Sequence, residues 1–244
     1  MAKTPTLIEF TIYILNIMGV DKSRKNTRKN TRNEITTKKK NTRGTRKGTR
    51  KGTRMGAFRE LKVSDITEDE MKSLLYYTGG DSLWINNLLT KTRIDELNDR
   101  SKSNIQGHID NLNNIIKKSS PSMRKTVVYR GAQTRETTEN WKMAKKGDVL
   151  PFNYSTRFIS TTLNKKTALD FVEDDESCCL LKLILPKGTK GIYVSKLSSF
   201  QDLEEEEIIL PPGCKFLVVD KDIMNKNGRK ITTFAAILKE QLSY

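Results

Sequence analysis

The sequence predicts an α+β domain, helices first and strands after, preceded by a basic segment unable to form a core. Three observations carry this. Apolar residues recur at helical spacing between Glu68 and Lys118, the pattern changes to short alternating runs from Thr126 onward, and residues 22–54 offer almost no apolar side chain. Helices followed by strands argue for antiparallel or mixed pairing and against an alternating βαβ fold. No Gly-x-Gly-x-x-Gly occurs, so a nucleotide would not be held in the Rossmann manner.

Charge separates the basic segment from the rest. The 244 residues carry a formal +16, and between Lys22 and Arg54 fifteen Lys or Arg stand against one acid, Glu34, which places +14 there and leaves about +2 elsewhere. The segment repeats in fours, as in Lys25-Asn26-Thr27-Arg28 and Lys29-Asn30-Thr31-Arg32, then Thr45-Arg46-Lys47-Gly48 and Thr49-Arg50-Lys51-Gly52. Such a chain is expected to be disordered and extended by self-repulsion. Two readings follow: an arm that binds a polyanion such as DNA, RNA or acidic lipid, or a solvated linker or localisation signal. Ahead of it, Thr6 to Val20 is apolar but broken by Glu9 and Asn16, shorter than the ~20 residues of a membrane span and without a small-x-small cleavage site. The expected division is 1–20 as a short apolar segment, 21–56 as the basic arm and 57–244 as the folded domain. Richness in Lys, Asn and Ile points to an AT-rich genome such as that of a large virus or phage, which would put the protein in a host cell or a virion.

Within the domain, Met71, Leu74 and Leu75 share a face of a helix over Glu68–Leu75, and Leu83, Ile85, Leu88 and Leu89 mark a second over Ser82–Thr90. Gly79-Gly80-Asp81-Ser82 breaks and caps between them. A third helix over Ser103–Lys118 has the stripe Ile105, Ile109, Leu112, Ile115 and Ile116, and Pro121 ends it. Strands are expected over Thr126–Arg130, Arg157–Thr162, Cys178–Leu185, Ile192–Ser195, Glu207–Leu210, Cys214–Asp220 and Ile231–Leu238. Breaks fall at Gly147-Asp148, Pro186-Lys187-Gly188, Pro211-Pro212-Gly213 and Asn227-Gly228.

The reactive inventory is narrow. Three cysteines, two of them adjacent in one strand, make no disulfide framework, and a lone His108 with no Cys-x-x-Cys gives too few ligands for zinc. His108 sits in a polar helical pattern and reads as a surface or partly packed residue. Chemistry must come from carboxylates, hydroxyls and arginines.

Three motifs in the strand half supply these groups. In Val127-Val128-Tyr129-Arg130-Gly131 an arginine closes an apolar strand, placed to meet a phosphate while the glycine keeps the backbone out of the way. In Phe158-Ile159-Ser160-Thr161-Thr162, Ser160 and Thr162 share a strand face. In Glu205-Glu206-Glu207-Ile208-Ile209-Leu210, a carboxylate enters a buried-looking strand, a costly position unless it faces a cleft or a partner, and period two sets Glu205 on the face of Glu207. Singly, each is also compatible with a solvated strand end, an ordinary hydroxyl-bearing strand and an acidic turn.

Together and in this order, the motifs resemble the arginine-serine-glutamate signature of mono-ADP-ribosyltransferases, the family of actin-modifying toxins and of vertebrate and phage enzymes. Tyr77-Thr78 with Trp84-Ile85-Asn86-Asn87-Leu88-Leu89 looks like the family's helix upstream of the arginine strand, and Ala168-Leu169-Asp170-Phe171 resembles the helix after its serine motif. The resemblance spans roughly Leu61 to Leu238. It implies two small sheets packed face to face with helices at one side, and NAD as co-substrate in the cleft between the sheets, with no metal.

Residue by residue, the resemblance implies that Arg130 contacts NAD phosphate, Ser160 positions Glu207 and touches the nicotinamide ribose, and Glu207 is the catalytic carboxylate. Thr161 and Gly131 fall among the cofactor contacts of the same motifs, and Tyr77, Asn86 and Phe171 resemble nicotinamide- and adenosine-side contacts. Glu205 would face the acceptor guanidinium, which goes with an arginine on a target protein, and Phe200 resembles the exposed aromatic of a target-recognition loop. Two departures stand out. Glu173-Asp174-Asp175-Glu176 lies where toxin relatives often place an arginine on the phosphates, so either this loop points away or NAD binds weakly. The run from Glu204 to Glu207 leaves the register open, and Ile-Ile-Leu-Pro after Glu207 favours the assignment given. Competing expectations are plain NAD hydrolysis and a nucleic-acid-binding or packaging protein whose transferase-like domain is degenerate.

Overall fold

The structure, a computed structural model, describes residues 57–132, 140–151, 156–172, 179–194, 197, 206–226 and 228–241. The expected segments 1–20 and 21–56 lie outside the described residues, as do Cys178, the acidic run 173–176, Phe200, Glu204 and Glu205. The described residues fall in one compact unit, Gly52–Tyr244.

Helix α1, Glu68–Tyr76, starts at a reciprocal cap: Glu70 N–H donates to Thr67 Oγ1 at 3.2 Å and Thr67 N–H to Glu70 Oε2 at 2.8 Å. Burial works against the charge on Glu70. The Lys118 ammonium, 2.6 Å away, and the Thr67 backbone outweigh it and hold the carboxyl below its ordinary value. A wide π turn, Tyr77–Asp81, follows, and Gly80 takes φ +105°, which a side chain would resist. Helix α2 is Ser82–Thr90. Helix α3, Asp99–Lys118, begins four residues ahead of the expected start, because Asn98 Oδ1 caps the Ser101 N–H at 2.8 Å. Its buried stripe is the expected Ile105, Ile109, Leu112, Ile115 and Ile116, each worth about 1.5–3 kcal/mol when fully buried. With Leu74, Tyr77 and Ile85 these residues pack against Phe158, Ile192, Val194 and Ile209 from the strand half.

The strands are β1 Thr126–Ala132, β2 Val149–Pro151, β3 Ile159–Thr162, β4 Cys179–Leu185, β5 Ile192–Tyr193, β6 Glu207–Leu210, β7 Lys215–Lys226 and β8 Arg229–Glu240. A short helix α4, Lys165–Asp170, joins β3 to the segment before β4. The α+β class holds, and the pairing is mixed: β4 and β8 run parallel, and the other paired strands among the described residues run antiparallel. The implied pair of sheets does not hold. All eight strands form one sheet in the order β2-β7-β8-β4-β1-β3-β6-β5. Strand β1 makes the join: it pairs with β4 along its whole length and touches β3 at one position, Tyr129 opposite Thr162. The main apolar core runs across this join, from Ile159, Ile208 and Leu210 to Leu181, Leu183, Phe216 and Phe234. Trp141 is sealed within it, 5.6 Å edge-on from Phe234.

Cys179 and Cys214 are buried, and burial pushes the Cys214 thiol up to about 12. Among the described residues no cluster of His, Cys, Asp and Glu could hold a metal, and no helix is long and apolar enough to cross a membrane.

Candidate active site

Strands β3 and β6 lie in register, Ser160 opposite Ile209, Thr161 opposite Ile208 and Thr162 opposite Glu207. Alternation therefore gives the pair two unlike faces. Ile159, Thr161, Ile208 and Leu210 share one, all buried, with the three apolar residues in the main core. Ser160, Thr162, Glu207 and Ile209 share the other, which meets the helical layer through Ile209 and Phe158.

On that second face the polar groups converge. Ser160 Oγ donates to the Tyr77 hydroxyl at 3.2 Å, across 83 residues of sequence. Arg130, at the far end of β1, donates from Nη1 to the Ser160 carbonyl at 2.5 Å, so one residue of β3 ties the arginine to the tyrosine. Tyr77 is 3% exposed and sits edge-on to Phe158 at 5.8 Å. Burial drives its hydroxyl up to about 12, with the Ser160 and Asn86 hydrogen bonds and the Arg130 charge opposing and the Glu207 charge adding. Tyr77 thus stays a neutral phenol at any physiological pH. Burial likewise lowers Arg130 from its ordinary value, Tyr77 and Glu207 act to raise it, and Arg157 acts to lower it. It remains a cation throughout.

Glu207 is only 9% exposed at the first position of β6. A carboxylate is held there by its surroundings, since Glu207 is partnered and its charge acts on both Tyr77 and Arg130. Its own carbonyl accepts from Val194 N–H at 3.0 Å, which fixes β6 against the residue after β5. Glu206 just before it has φ +41°. Extended backbone begins at Glu207, where β6 starts.

The other expected site residues separate by environment. Asn86, on α2, bonds Tyr77 through its side chain, and its Oδ1 is a buried acceptor with no hydrogen-bond partner. Thr161 is 3% exposed on the core face, and its hydroxyl donates to the Ile208 carbonyl at 2.7 Å. Gly131 is required by packing: a Cβ there would overlap the Ala168 carbonyl oxygen and the backbone of Phe171, so α4 closes directly on the end of β1. Phe171, at the C-terminal cap of α4, is 49% exposed. Arg157 is a residue the sequence reading passed over as a strand start. Its charge acts on Arg130, and its place three residues before Ser160 was the available signal.

An α+β fold whose arginine, serine and buried glutamate meet beside a helical tyrosine and asparagine is the architecture of an ADP-ribosyltransferase. The family model for the ADP-ribosyltransferase exoenzyme matches residues 29–240, and the chain belongs to that family. The match begins inside the basic segment. The chain is 27% identical over 159 residues to the NAD(+)--arginine ADP-ribosyltransferase EFV of Enterococcus faecalis, covering 64% of this chain and 30% of that protein. It thus spans under a third of that relative's length. Among solved structures it resembles Plx2a, an ADP-ribosyltransferase toxin from Paenibacillus larvae, with TM-score 0.55 and 22% identity over 72% of this chain and 89% of that one. It also resembles BECa, an ADP-ribosylating toxin of C. perfringens solved with NADH, with TM-score 0.57 and 20% identity over 72% and 44% of the two chains. These relatives are bacterial.

Proposed function

We propose that the chain transfers ADP-ribose from NAD to an arginine side chain of a target protein, releasing nicotinamide. The observation that carries this is the buried Glu207 carboxylate, whose charge acts on a neutral Tyr77 and a cationic Arg130, the latter two tied together through Ser160. Loss of nicotinamide leaves positive charge on the ribose. A fixed carboxylate stabilises that charge more than the neutral ground state, and in a water-poor site such stabilisation is the largest common catalytic term. Glu207 would hydrogen-bond the ribose 2′-hydroxyl, Ser160 would hold Glu207 and the ribose in place, and Arg130 would offset the pyrophosphate charge. The buried, unpartnered Asn86 Oδ1 suits an amide or hydroxyl donor of a bound dinucleotide. Glu205 would orient and deprotonate the incoming guanidinium, with Phe200 meeting the target surface, and the Enterococcus relative's arginine specificity supports that choice of acceptor.

The test is labelled NAD with an arginine-rich acceptor, on the parent, Glu207→Gln and Glu205→Gln. The reading expects label transfer by the parent, loss of transfer and nicotinamide release in Glu207→Gln, and loss of transfer alone in Glu205→Gln. Nicotinamide release without labelled protein would make the chain an NAD glycohydrolase. No release at all would leave a degenerate transferase-like domain. Residues 21–56 we assign to a polyanion-binding arm on charge alone, apart from a catalytic domain at 57–244. Deleting 21–56 should abolish salt-sensitive nucleic-acid binding, whose log–log slope is about −0.9 per duplex phosphate engaged, and leave transfer to a free-arginine analogue unchanged.

A further inference from the structure

The β7–β8 hairpin is longer than its core requires. From Asp220 onward β7 is exposed at most positions, yet the strands keep pairing out to Lys226 opposite Arg229. What this outer half reaches is α4. Met224 and Ile231 pack with Ala168, Leu169, Val172, Leu180 and Tyr129 in a small separate apolar cluster. Lys226 Nζ donates to the Leu169 carbonyl at 3.0 Å and lies 3.5 Å from Asp170 Oδ1. Six residues of helix are too few to hold themselves in water, and α4 buries only Ala168 fully. An ammonium at its C-terminal carbonyls also complements the helix dipole.

The position of α4 matters because of what lies beneath it. Gly131, next to Arg130, touches Ala168 and Phe171 so closely that a methyl group has no room. A shift of α4 therefore bears on the backbone at the end of β1 that carries Arg130, and moves the half-exposed Phe171. We propose that Lys226 is a positioning residue for NAD, the β7–β8 hairpin acting as a brace that holds α4 against the end of β1. This rests on the assignment of Arg130 to the NAD phosphates.

Lys226→Met and Lys226→Arg in the full chain test it, with nicotinamide-release kinetics and hydrogen exchange at residues 165–172. Lys226→Met should raise KM for NAD about fivefold with kcat within about twofold, because the lost contact positions the binding side and leaves Glu207 alone. Exchange at 165–172 should rise without a change elsewhere in the sheet, and Lys226→Arg should restore both. Unchanged exchange in Lys226→Met overturns the brace, whether or not the parent turns over NAD. Faster exchange with unchanged KM, or a fall in kcat alone, overturns its role in NAD binding. A parent that releases no nicotinamide would count against the proposed activity, and exchange would still decide the brace.

Discussion

One face of the β3–β6 pair is finished, and the other is held open. Ile159, Thr161, Ile208 and Leu210 are sealed in the main core, and the one hydroxyl among them is satisfied within the sheet, on the Ile208 carbonyl. Ser160 and Glu207, on the opposite side of the same eight residues, depend on Tyr77 and Arg130, which come from other elements. Stability on the first face comes from contacts that a short strand provides locally, whereas the second keeps a buried carboxylate and an unpartnered buried acceptor, Asn86 Oδ1, that stability alone would not select.

Adjacent residues in β6 give the strongest contrast. Glu207→Gln should cut nicotinamide release by about a hundredfold or more while leaving the core intact, since the amide keeps the side chain's volume. Ile208→Ala should cost about 2–5 kcal/mol of stability through the cavity it leaves and keep near-parental turnover per folded molecule at low temperature. Equal effects on turnover and stability in both variants would erase the distinction between the faces.

Gly131→Ala sits where the open face meets α4. The overlap is with backbone, which cannot turn aside, so a cost of about 1–3 kcal/mol in stability is expected, with weaker NAD binding because Arg130 is the next residue. A variant as stable as the parent by denaturant titration would mean that α4 is not seated on β1.

Tyr77→Phe probes the link between the helical layer and the open face. It keeps the ring against Phe158 and removes the oxygen that Ser160 and Asn86 use. Buried donors left unmatched cost about 1–3 kcal/mol, and turnover should fall roughly tenfold as Ser160 loses its anchor. Parental turnover would limit Tyr77 to packing.

The finished face was the more readable in the sequence. Ile208-Ile209-Leu210 and the α3 stripe announce burial by periodicity alone, and the family resemblance brought Arg130, Ser160 and Glu207 into one site. Asn98 is an N-cap signal that went unused because no apolar residue follows until Ile105. Strand β2 is three residues at the sheet edge, ending in Pro151, too short to show alternation. The outer half of β7 escaped because Lys221-Asp222-Ile223-Met224-Asn225-Lys226 has no buried face to alternate with. That Thr161 lies on the face opposite Ser160 follows from period two. The joining of all strands in one sheet rests on a single β1–β3 pairing that no local pattern encodes.

The smallest effect concerns the polar seam between α1 and α3, next to the turn that carries Tyr77. His108 stacks on Tyr76 at 4.3 Å, and its Nδ1 lies 2.9 Å from Ser73 Oγ. That hydroxyl gives its proton to the Asp69 carbonyl at 2.8 Å and already accepts from Asn111 Nδ2 at 3.0 Å, so His108 must donate from Nδ1, leaving Nε2 as the site that titrates. Burial lowers His108 below its ordinary 6.5, and Asp81 partly opposes this. Between the folded value and 6.5 the unfolded chain binds more protons, so stability is complete above 6.5 and declines as pH falls through that window. Asp81, pushed up by burial, contributes with the opposite sign, but in the carboxylate range at lower pH. His108→Gln keeps an amide donor for Ser73 and cannot titrate. Thermal midpoints from about pH 8 to about pH 5 should therefore fall more steeply for the parent than for the variant. Parallel profiles would show that the seam does not feel the proton, and that Tyr77 sits on a turn whose stability does not respond to pH.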